Sequence, residues 1–403
     1  MHVVIVGSGV AGVTSARILR EKDPKAKISI YTDEKHLYYL RPRLYEVLSG
    51  EANPQEIYVF SEQWYEKRGI KVHLNTKVLG LETDKKQLIL EDYSRVNYDK
   101  VLLANGAHPF IPLIKGVEKI GVFALHSIKD ALTIKEYTKK TRKTIIIGGG
   151  LLGLEFAVSL RKLGQQVEVV EIFQRLLPRQ LDQDGATILK ERIETRGIKI
   201  VLGVKTEEIL GTKTISGISL NSGKELCGNL VIISAGVRSN INLAVEAGIK
   251  VEKGVVVDQY LQTSVDDVYA AGDVAEFEER VYGIIPAALE QAKISAINMV
   301  GREKHVYKGT TPSTILKIVG IDLTSMGLIN PEDPKYEEIK KINEEKGIYK
   351  KIVLEQGKIV GAIILGDKKD VTWIRKLMNQ QIDVTKYEDF ILEDDFDYRK
   401  IFS

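Results

Sequence analysis

The stretch Val3-Val4-Ile5-Val6-Gly7-Ser8-Gly9-Val10-Ala11-Gly12 decides the fold of this chain. Its β-branched run predicts a strand, and the residues that follow predict a helix. Three glycines with GxGxxG spacing between a strand and a helix are typical of a dinucleotide-binding turn. Gly7 permits the tight turn, Gly9 lets the backbone approach a diphosphate, and Gly12 lets the helix pack closely on the strand. The diphosphate is expected on the amides at the start of the helix.

The same pattern returns in the middle of the chain, in Gly148-Gly149-Gly150-Leu151-Leu152-Gly153. A strand-like run, Thr144 to Ile147, precedes this loop, and a helical pattern follows it. Gly148, Gly150 and Gly153 therefore repeat the three roles. The sequence thus contains two units of the dinucleotide-binding type and predicts a Rossmann-like α/β fold for each.

Carboxylates follow the second predicted strand of both units. Asp33 and Glu34 come about twenty residues after the first loop, where a carboxylate accepts hydrogen bonds from ribose hydroxyls. Glu171 closes the corresponding strand of the second unit. A carboxylate there hydrogen-bonds the adenosine 2′-hydroxyl and repels a 2′-phosphate, so NADH is expected over NADPH. Arg175 and Arg179 lie close by in sequence and leave some use of NADPH open.

Two dinucleotide sites in one chain imply that electrons pass between two cofactors. A nicotinamide carries an electron pair, and a flavin can accept the pair and release the electrons singly, so FAD and NADH are the expected cofactors. The 403 residues include a single cysteine, Cys227. It cannot form an internal disulfide, a CxxC pair, a cysteine-rich zinc site or an iron–sulfur cluster, so organic cofactors must supply the redox chemistry.

The composition excludes several other classes of protein. A net charge of +3 gives no bulk electrostatic attraction to nucleic acid or to an anionic membrane. The six histidines show no metal-ligand spacing, so no metal site is expected. No apolar run approaches the roughly 18 residues of a membrane span. Met1 leads directly into the first strand without a targeting segment, so a cytoplasmic protein is expected.

Two further stretches, together with the glycine loops, resemble the FAD-dependent pyridine nucleotide-disulfide oxidoreductase superfamily over essentially the whole chain. The first is Tyr98-Asp99-Lys100-Val101-Leu102-Leu103-Ala104-Asn105-Gly106-Ala107-His108-Pro109, with Asn105 where the family usually has threonine. The second is Ala270-Ala271-Gly272-Asp273-Val274-Ala275, the late flavin-binding motif. In that motif the family's aspartate holds the ribityl chain, a role that the resemblance gives to Asp273.

The resemblance implies further site residues. Besides the glycines and carboxylates above, the implied cofactor-binding residues are Arg41 (at the FAD diphosphate), Val78, Ala104, Asn105, Gly106, Gly236, Gly272 and Asp273. The implied catalytic residues are Glu155, which in the family lies between nicotinamide and flavin, and Lys317, which could approach the isoalloxazine. A structural role stays open for both, because a first-turn glutamate complements the helix dipole and a lysine on a strand is commonly a surface residue.

Three domains follow from these motifs, in agreement with about 150 residues per domain. They are a discontinuous FAD-binding domain of residues 1–109 and 237–309, an NAD(H)-binding domain of residues 110–236, and a C-terminal α+β domain of residues 310–403. The fold class is α/β, with two Rossmann-like domains and the C-terminal domain. The acidic residues between Glu388 and Asp397 are expected to form a solvated face.

The stretch after the first unit separates the branches of the superfamily. Here it is Tyr38-Tyr39-Leu40-Arg41-Pro42-Arg43-Leu44-Tyr45-Glu46, with proline where some branches have a single active cysteine. This pattern is similar to the NADH:rubredoxin and ferredoxin reductases. Ferredoxin reductases of the oxygenase type usually carry a lysine where Glu46 stands, paired with the glutamate that corresponds to Glu155. The absence of that pair favours the rubredoxin reductase-like branch without a redox cysteine.

The sequence therefore predicts an FAD-dependent NADH oxidoreductase that passes electrons to a small electron carrier such as rubredoxin or ferredoxin. One alternative is a peroxide-forming NADH oxidase that uses dioxygen. An alternative of another class is a redox-switched flavin-binding interaction protein, or a subunit of a larger complex. Neither nucleic-acid binding nor membrane insertion is expected. The oligomeric state stays open, with a homodimer among the options.

Overall fold

The computed structural model describes residues 1–301, 303–318 and 320–402, and for 313–318 it describes the strand but not the side chains. The strands are β1 (His2–Val6), β2 (Lys27–Tyr31), β3 (Ile70–His73), β4 (Val78–Glu82), β5 (Gln87–Leu90), β6 (Arg95–Asn97), β7 (Lys100–Leu103), β8 (Ala107–Pro109), β9 (Val122–Ala124), β10 (Lys143–Ile147), β11 (Gln166–Glu171), β12 (Ile198–Leu202), β13 (Thr206–Gly211), β14 (Ile215–Leu220), β15 (Glu225–Cys227), β16 (Leu230–Ile233), β17 (Val237–Ser239), β18 (Val255–Val256), β19 (Val268–Ala270), β20 (Ala275–Glu276), β21 (Ser313–Ile318), β22 (Ile321–Gly327), β23 (Tyr336–Asn343), β24 (Ile348–Glu355) and β25 (Lys358–Leu365). The α-helices are α1 (Val10–Lys22), α2 (Leu44–Ser49), α3 (Glu62–Glu66), α4 (Ile128–Thr138), α5 (Leu151–Lys162), α6 (Gln183–Glu194), α7 (Asn242–Glu246), α8 (Ile285–Val300) and α9 (Val371–Gln380).

The chain divides into two compact units. The first consists of Met1–Leu44, Ala52–Phe110 and Val237–Thr310, and the second of Tyr45–Glu51, Ile111–Gly236 and Thr311–Ser403. The C-terminal region thus groups with residues 111–236, and so does the short segment Tyr45–Glu51. The assignment of three domains to cofactors stays a prediction.

A parallel sheet with the strand order β19-β7-β1-β2-β3 forms the centre of the first unit. The central strand β1 is a continuous apolar run, and Val3, Val4 and Ile5 are fully buried because both faces of the sheet are covered. Helices α1 and α8 pack together on one face, where alanines allow a close approach and the Ser15 hydroxyl donates to the carbonyl of Ala292 at 3.1 Å. The predicted α/β fold class is confirmed.

The second unit repeats this architecture. Its parallel sheet has the order β9-β16-β10-β11-β12, and the antiparallel sheet β13-β14-β15 corresponds to β4-β5-β6 of the first unit. The backbone hydrogen bonds also correspond, since Gly7 N–H donates to the Tyr31 carbonyl at 2.8 Å and Gly148 N–H donates to the Val170 carbonyl at 2.8 Å. The two glycine loops therefore occupy equivalent places in two copies of one fold.

The C-terminal region is built on a second architecture. Its antiparallel sheet has the order β21-β22-β25-β24-β23, and α9 packs on β25 over a separate hydrophobic core. Lys350 and Lys351 on β24 are only 1% and 2% exposed. Because neighbouring strand residues point to opposite faces, each lysine needs its own acidic partners. Lys350 pairs with Asp370 at 2.6 Å, and Lys351 pairs with Glu338 at 2.7 Å.

The acidic side chains Glu393 and Asp394 near the C-terminus are exposed, as expected for a solvated face, and both also have cationic partners. Glu393 pairs with Lys341 at 2.8 Å, and Asp394 lies 3.4 Å from the buried Lys350. These exposed carboxylates therefore also form ion pairs with lysines of the sheet in the C-terminal region. Their partners lie more than forty residues away in the sequence, which is why a linear charge pattern did not reveal them.

Among the described residues, no helix is both long enough and apolar enough to cross a membrane. Within the same part of the chain, no three side chains of His, Cys, Asp or Glu group in a way that could hold a metal ion. Cys227, the single cysteine of the sequence, ends β15 and is exposed.

Candidate cofactor-binding sites

The first glycine loop connects β1 to α1 and is closed on one side by packing. Gly7 has a positive φ of 106°, and a Cβ on it would lie closer than 3.0 Å to the carbonyl of Ala104. A Cβ on Gly12 would lie equally close to the carbonyl of Gly7. In contrast, a Cβ on Gly9 would meet no atom within 4 Å. The turn and the packing require Gly7 and Gly12, while the backbone at Gly9 is left open on its outer side.

The start of α1 provides the electrostatics for an anion. Gly9 is the N-cap, no side chain caps the helix, and the first turn carries no acidic residue. The unpaired N–H groups and the helix dipole therefore favour a negatively charged group in front of the loop.

Asn105 follows β7 and forms a reciprocal pair with Asn240. The Asn105 side-chain amide donates to the Asn240 carbonyl at 2.9 Å, and the Asn240 amide donates to the Asn105 carbonyl at 2.6 Å. The buried Asn105 Oδ1 accepts no hydrogen bond from any described residue. Asn240 was not identified from the sequence. The one feature that could have indicated it is its position directly after β17, where the chain returns to the first unit. An unpartnered buried acceptor is costly unless a ligand supplies a donor.

Asp273 follows β19 in a turn fixed by its neighbours. Gly272 has a φ of 83°, and its N–H donates to Gln291 Oε1 at 2.9 Å. The hydroxyl of Ser239 donates to the Asp273 main-chain carbonyl at 2.7 Å. Burial raises the pKa of the Asp273 carboxyl, and the charge of Arg41 opposes that rise. A half-buried carboxylate of this kind is stabilised by hydroxyl donors such as those of a ribityl chain.

The predicted ribose partners of the first unit differ in environment. Glu34 accepts hydrogen bonds from the Tyr39 hydroxyl and from Arg41 Nη2, both at 2.6 Å, whereas Asp33 is exposed. Arg41 is thereby oriented by Glu34, and its role at a diphosphate stays a prediction. Val78 begins β4 and packs against the hydrophobic core of the unit.

The second glycine loop repeats the first almost residue for residue. Gly148 has a φ of 115°, and a Cβ on it would lie closer than 3.0 Å to the Ser234 carbonyl. A Cβ on Gly153 would come equally close to the Gly148 carbonyl, whereas one on Gly150 would meet nothing within 4 Å. The first turn of α5 again has no acidic residue. Gly236 has a positive φ and, like Gly106 in the first unit, has no atom within 4 Å of a Cβ position.

Glu171 is buried at the end of β11 and holds the second loop in place. Its Oε2 accepts from Gly149 N–H at 2.6 Å, and its Oε1 accepts from Phe173 N–H at 2.9 Å. A carboxylate has about four lone-pair positions, so ribose hydroxyls can still donate to it. Arg175 donates to the carbonyls of Leu181 and Pro178 in its own loop. Glu171 thus places a fixed negative charge against the loop, and the preference for NADH stays a prediction.

The two predicted catalytic residues are described to different extents. Glu155 is half-buried on α5, and its charge raises the pKa of Arg196, which burial and Arg192 lower. Because α5 begins at Leu151, Glu155 lies just beyond the first turn, so its predicted place in that turn is wrong. The structural alternative based on the helix dipole is weakened accordingly. Lys317 belongs to β21, and its side chain lies outside the described part of the chain.

The residues present fit the two cofactors that the sequence predicts. In the first unit, the open backbone at Gly9, the unpartnered Asn105 Oδ1 and the Asp273 carboxylate offer a diphosphate site, an acceptor and a polyol partner. In the second unit, the open backbone at Gly150 and the fixed Glu171 carboxylate offer a diphosphate site and a ribose partner. These features match the diphosphate, ribityl and ribose groups that FAD and NAD(H) present to a protein.

Comparison with known proteins agrees with this geometry. Residues 1–292 match the pyridine nucleotide-disulphide oxidoreductase family, and residues 312–382 match the rubredoxin NAD+ reductase C-terminal domain. An NADH-rubredoxin oxidoreductase of Clostridium acetobutylicum is 31% identical, with 94% of each chain covered. A ferredoxin reductase structure from Rhodopseudomonas palustris superposes with a TM-score of 0.89 at 25% identity, covering 99% of each chain.

A nitrite reductase [NAD(P)H] of Bacillus subtilis is 36% identical over 96% of this chain but over 48% of its own length. The chain thus spans about half the length of the first curated relatives that it matches. The predicted resemblance is confirmed by the family match, which covers well over half of the chain. The chain therefore belongs to the pyridine nucleotide-disulphide oxidoreductase family, whose flavoproteins use FAD and NAD(H).

Proposed function

We propose that this chain is an NADH-dependent FAD oxidoreductase that passes electrons to a small electron-carrier protein such as rubredoxin or ferredoxin. The observation that carries the proposal is the duplicated loop, closed behind its first and third glycines and open at Gly9 and Gly150. Residues 1–109 and 237–309 are assigned to FAD, and residues 110–236 to NADH. When bound, FAD takes up the electron pair of NADH and can release the electrons one at a time.

The chain's own residues bind, orient and discriminate. The N-terminal amides of α1 and α5 each hold a diphosphate, and neither first turn carries an acidic residue that would repel it. Asp273 accepts from the ribityl hydroxyls, and Glu171 accepts from the adenosine ribose and repels a 2′-phosphate. Glu155 and Lys317 are assigned as the catalytic residues that the resemblance implies.

The position of the single cysteine favours an electron acceptor that receives electrons from the flavin without a protein thiol. Cys227, the single cysteine of the sequence, is exposed on β15, and it is not among the residues assigned to FAD. Arg41-Pro42-Arg43 forms a short 3-10 helix where cysteine-dependent branches place their redox residue. Electrons therefore leave the flavin for an external carrier instead of a disulfide. The match of residues 312–382 to the rubredoxin NAD+ reductase C-terminal domain favours rubredoxin.

A second candidate is electron delivery within a larger oxidoreductase. The observation in its favour is that the chain covers 48% of a nitrite reductase and 51% of an assimilatory nitrate reductase electron transfer subunit. In such an arrangement the acceptor is another redox domain or subunit instead of a free carrier.

Reoxidation kinetics test the acceptor. The FAD-loaded protein is reduced anaerobically with one equivalent of NADH and then mixed with rubredoxin, ferredoxin or air-saturated buffer in a stopped-flow instrument. The proposal expects rubredoxin or ferredoxin to reoxidise the flavin much faster than dioxygen does. Reoxidation that is fastest with dioxygen and forms peroxide would establish the oxidase instead. Slow reoxidation by all three, with a partner subunit recovered on purification, would favour the larger complex.

A further inference from the structure

A surface cavity of about 370 Å3, open to solvent, lies on one face of the parallel sheet in the first unit. The register of β1, β2 and β3 brings its side chains together, since His2 is opposite Lys27, Ser29 opposite Lys71, and Tyr31 opposite His73. Alternate residues of a strand share one face, so positions 27, 29 and 31 line the same surface. The glycine loop, in contrast, follows the carboxyl end of β1. This cavity is therefore built from other residues than the predicted FAD site.

The charges around this cavity are positive and largely uncompensated. None of the described carboxylates lines it, and none of them forms a salt bridge with Lys27 or Lys71. Burial lowers the pKa of His73, and the charges of Lys71, Lys27 and His2 lower it further. Burial and Lys27 likewise lower the pKa of His2, although Asn97 and Asp99 oppose this. The two imidazoles are therefore favoured in their neutral form, and the positive charge at the cavity comes from the exposed lysines Lys27 and Lys71.

Two acidic residues approach the edge of the cavity without lining it. Glu82 pairs with Arg95 at 2.5 Å and also with Lys85 at 3.1 Å. Asp99 accepts from the backbone N–H of His2 at 2.5 Å. Arg95 is therefore already neutralised, and the excess positive charge comes from Lys27 and Lys71.

The second unit contains the equivalent cavity with a different charge pattern. Equivalence follows from matching hydrogen bonds: Asp99 N–H donates to the His2 carbonyl at 2.9 Å, and Asn229 N–H donates to the Lys143 carbonyl at 2.9 Å. By the same registers Glu168 corresponds to Ser29, Glu225 to Arg95, and Lys199 to Lys71. That cavity, of about 460 Å3, is lined by three lysines (Lys143, Lys199 and Lys224) and three glutamates (Glu168, Glu194 and Glu225).

The two cavities have the same backbone architecture but different charges, so the fold itself does not require the excess of positive charge in the first cavity. The fold tolerates a charge-balanced cavity at this place, and Lys199 there pairs with Glu168 at 3.2 Å. In the first unit the corresponding acids are replaced by a serine and an arginine, while the lysine at position 71 is retained. Lys27 and Lys71 form no salt bridge with a described carboxylate, so an anion would supply the negative charge that Glu168 supplies in the second cavity. The first cavity therefore has the composition of an anion site that the second lacks.

We propose that the cavity formed by His2, Lys27, Ser29, Lys71 and His73 binds a small multivalent oxyanion of the phosphate class. Its volume lies within the roughly 300–1,000 Å3 of small-molecule pockets. Lysine ammonium groups bind phosphate as point charges, and the imidazole N–H of His73 adds a directional donor from β3. His2 Nε2 and Ser29 Oγ are hydrogen-bonded to each other at 3.0 Å and form the wall of the cavity. The ring of Tyr31 stacks on that of His73 at 4.3 Å and keeps the imidazole in a fixed orientation.

Calorimetry with inorganic pyrophosphate tests this site. FAD-loaded protein in saturating NAD+, which occupies the dinucleotide sites, is titrated with pyrophosphate. We expect one equivalent to bind, with an affinity that Lys71→Gln and Lys27→Gln each lower about tenfold or more, because each removes a charge-assisted contact. Lys199→Gln, at the equivalent position of the balanced cavity, is the matched control and leaves the affinity unchanged. Flavin content and melting temperature check that each variant is folded.

Several outcomes would overturn the proposal. These are the absence of binding heat, an equal loss of affinity in Lys199→Gln, and binding of citrate as tight as that of pyrophosphate, which would exclude a preference for phosphate. A second measurement uses the unsubstituted protein and therefore does not depend on the folding of variants. Pyrophosphate is expected to raise the pKa of His73, followed by NMR of the imidazole ring, and an unchanged pKa would contradict the site.

Discussion

Oε2 of Glu171 accepts a hydrogen bond from the backbone N–H of Gly149 at 2.6 Å. This contact joins the end of β11 to the middle of the second glycine loop, and Glu171 is only 6% exposed. The carboxylate that is proposed to bind the ribose therefore also fixes the loop that is proposed to bind the diphosphate. Its negative charge is held at one place by two main-chain donors, Gly149 and Phe173.

Substitution of Glu171 is expected to change the choice of nicotinamide cofactor. Glu171→Gln removes the charge that repels a 2′-phosphate. It also replaces one of the two carboxylate oxygens by an NH2 group, which cannot accept a hydrogen bond from Gly149 or Phe173. We expect NADH affinity to fall about tenfold or more, since a charge-assisted bond is lost, while NADPH affinity falls less. Titration of both cofactors gives the ratio. Glu168→Gln on the same strand is the control, and an unchanged ratio in Glu171→Gln would refute the role of Glu171.

Alanine substitutions of Gly9 and Gly12 are expected to have different effects, one on FAD affinity and the other on folding stability. Gly9 has a φ of −76° and open space at its Cβ position, so Gly9→Ala should fold normally but lose affinity for FAD. Gly12→Ala forces a methyl group against the Gly7 carbonyl and should destabilise the protein by about 1–3 kcal/mol. Thermal unfolding of the apoprotein and the flavin content distinguish the two effects. Gly9→Ala with native flavin affinity would show that the open side binds nothing.

The ionised Asp273 carboxylate is expected to lower the stability of the folded apoprotein and to raise the affinity for FAD. Because burial raises its pKa, the folded apoprotein binds a proton more tightly than the unfolded chain. Stability of the apoprotein should therefore fall as the pH rises from the usual aspartate value of about 3.9 through the raised pKa. Asp273→Asn should remove this dependence while lowering FAD affinity about tenfold or more.

Urea unfolding of the apoprotein between pH 4 and 8, together with FAD titration, measures both effects of Asp273→Asn. Asp266→Asn, at an exposed aspartate of the same unit, is the control and should change neither. If Asp273→Asn binds FAD as tightly as the unsubstituted protein, Asp273 does not hold the flavin.

Asp182 is expected to stabilise the second unit at neutral pH. It caps α6 by accepting from Gly185 N–H, and it also accepts from the Tyr349 hydroxyl at 2.5 Å and from Lys351 at 3.2 Å. Burial alone would raise its pKa, but these donors hold the pKa below the usual value. Asp182→Asn should cost about 2 kcal/mol of unfolding free energy, less than the full loss of a buried ion pair because Lys351 keeps Glu338.

The stabilisation by Asp182 should be present above about pH 4 and disappear as the pH falls through the lowered pKa. Urea unfolding at several pH values measures it. The control is Asp184→Asn, since Asp184 lies in the first turn of α6 and forms an exposed pair with Lys340. This substitution should change the free energy of unfolding by less than about 0.5 kcal/mol. Equal effects of the two substitutions would contradict a special role for the buried network.

Cys227 is expected to be dispensable. It is exposed on β15, and as the single cysteine of the sequence it cannot form an internal disulfide. Cys227→Ser should leave flavin reduction by NADH and acceptor turnover essentially unchanged, as measured by stopped-flow absorbance. A large loss of turnover would show that electrons pass through the thiol and would return the chain to the cysteine-dependent branches.

Local motifs explain why the sequence predicts the two loops so well. The spacing of Gly7, Gly9 and Gly12 belongs to one strand–turn–helix unit, and the contact of Gly12 with the Gly7 carbonyl lies within it. The close approach of Gly7 to the Ala104 carbonyl comes from a distant strand, but the short motif is sufficient to identify the loop. The pairing of Asn105 with Asn240 spans 135 residues and depends on how distant strands meet, which no local pattern shows. Burial of Lys350 and Lys351 is equally hidden, because lysines normally mark exposed positions and the partner Asp182 lies far away in sequence.

The anion cavity illustrates the same limit. His2, Lys27 and Lys71 are unremarkable as single residues and come from three separate strands. Only the sheet register brings them together, and only the duplicated fold supplies the balanced cavity for comparison. The sequence can therefore indicate which cofactors are used, while the additional site depends on the folded structure.

Anaerobic reduction of the bound flavin tests the central claim most directly. The FAD-loaded protein is mixed with NADH, and the flavin absorbance near 450 nm is followed in the unsubstituted chain and in Gly150→Ala. The account predicts one FAD per chain, rapid bleaching by NADH in the unsubstituted protein, and strongly slowed bleaching in Gly150→Ala, although dithionite still reduces its flavin fully. Failure of NADH to bleach the unsubstituted protein, or equal rates in both proteins, would contradict it.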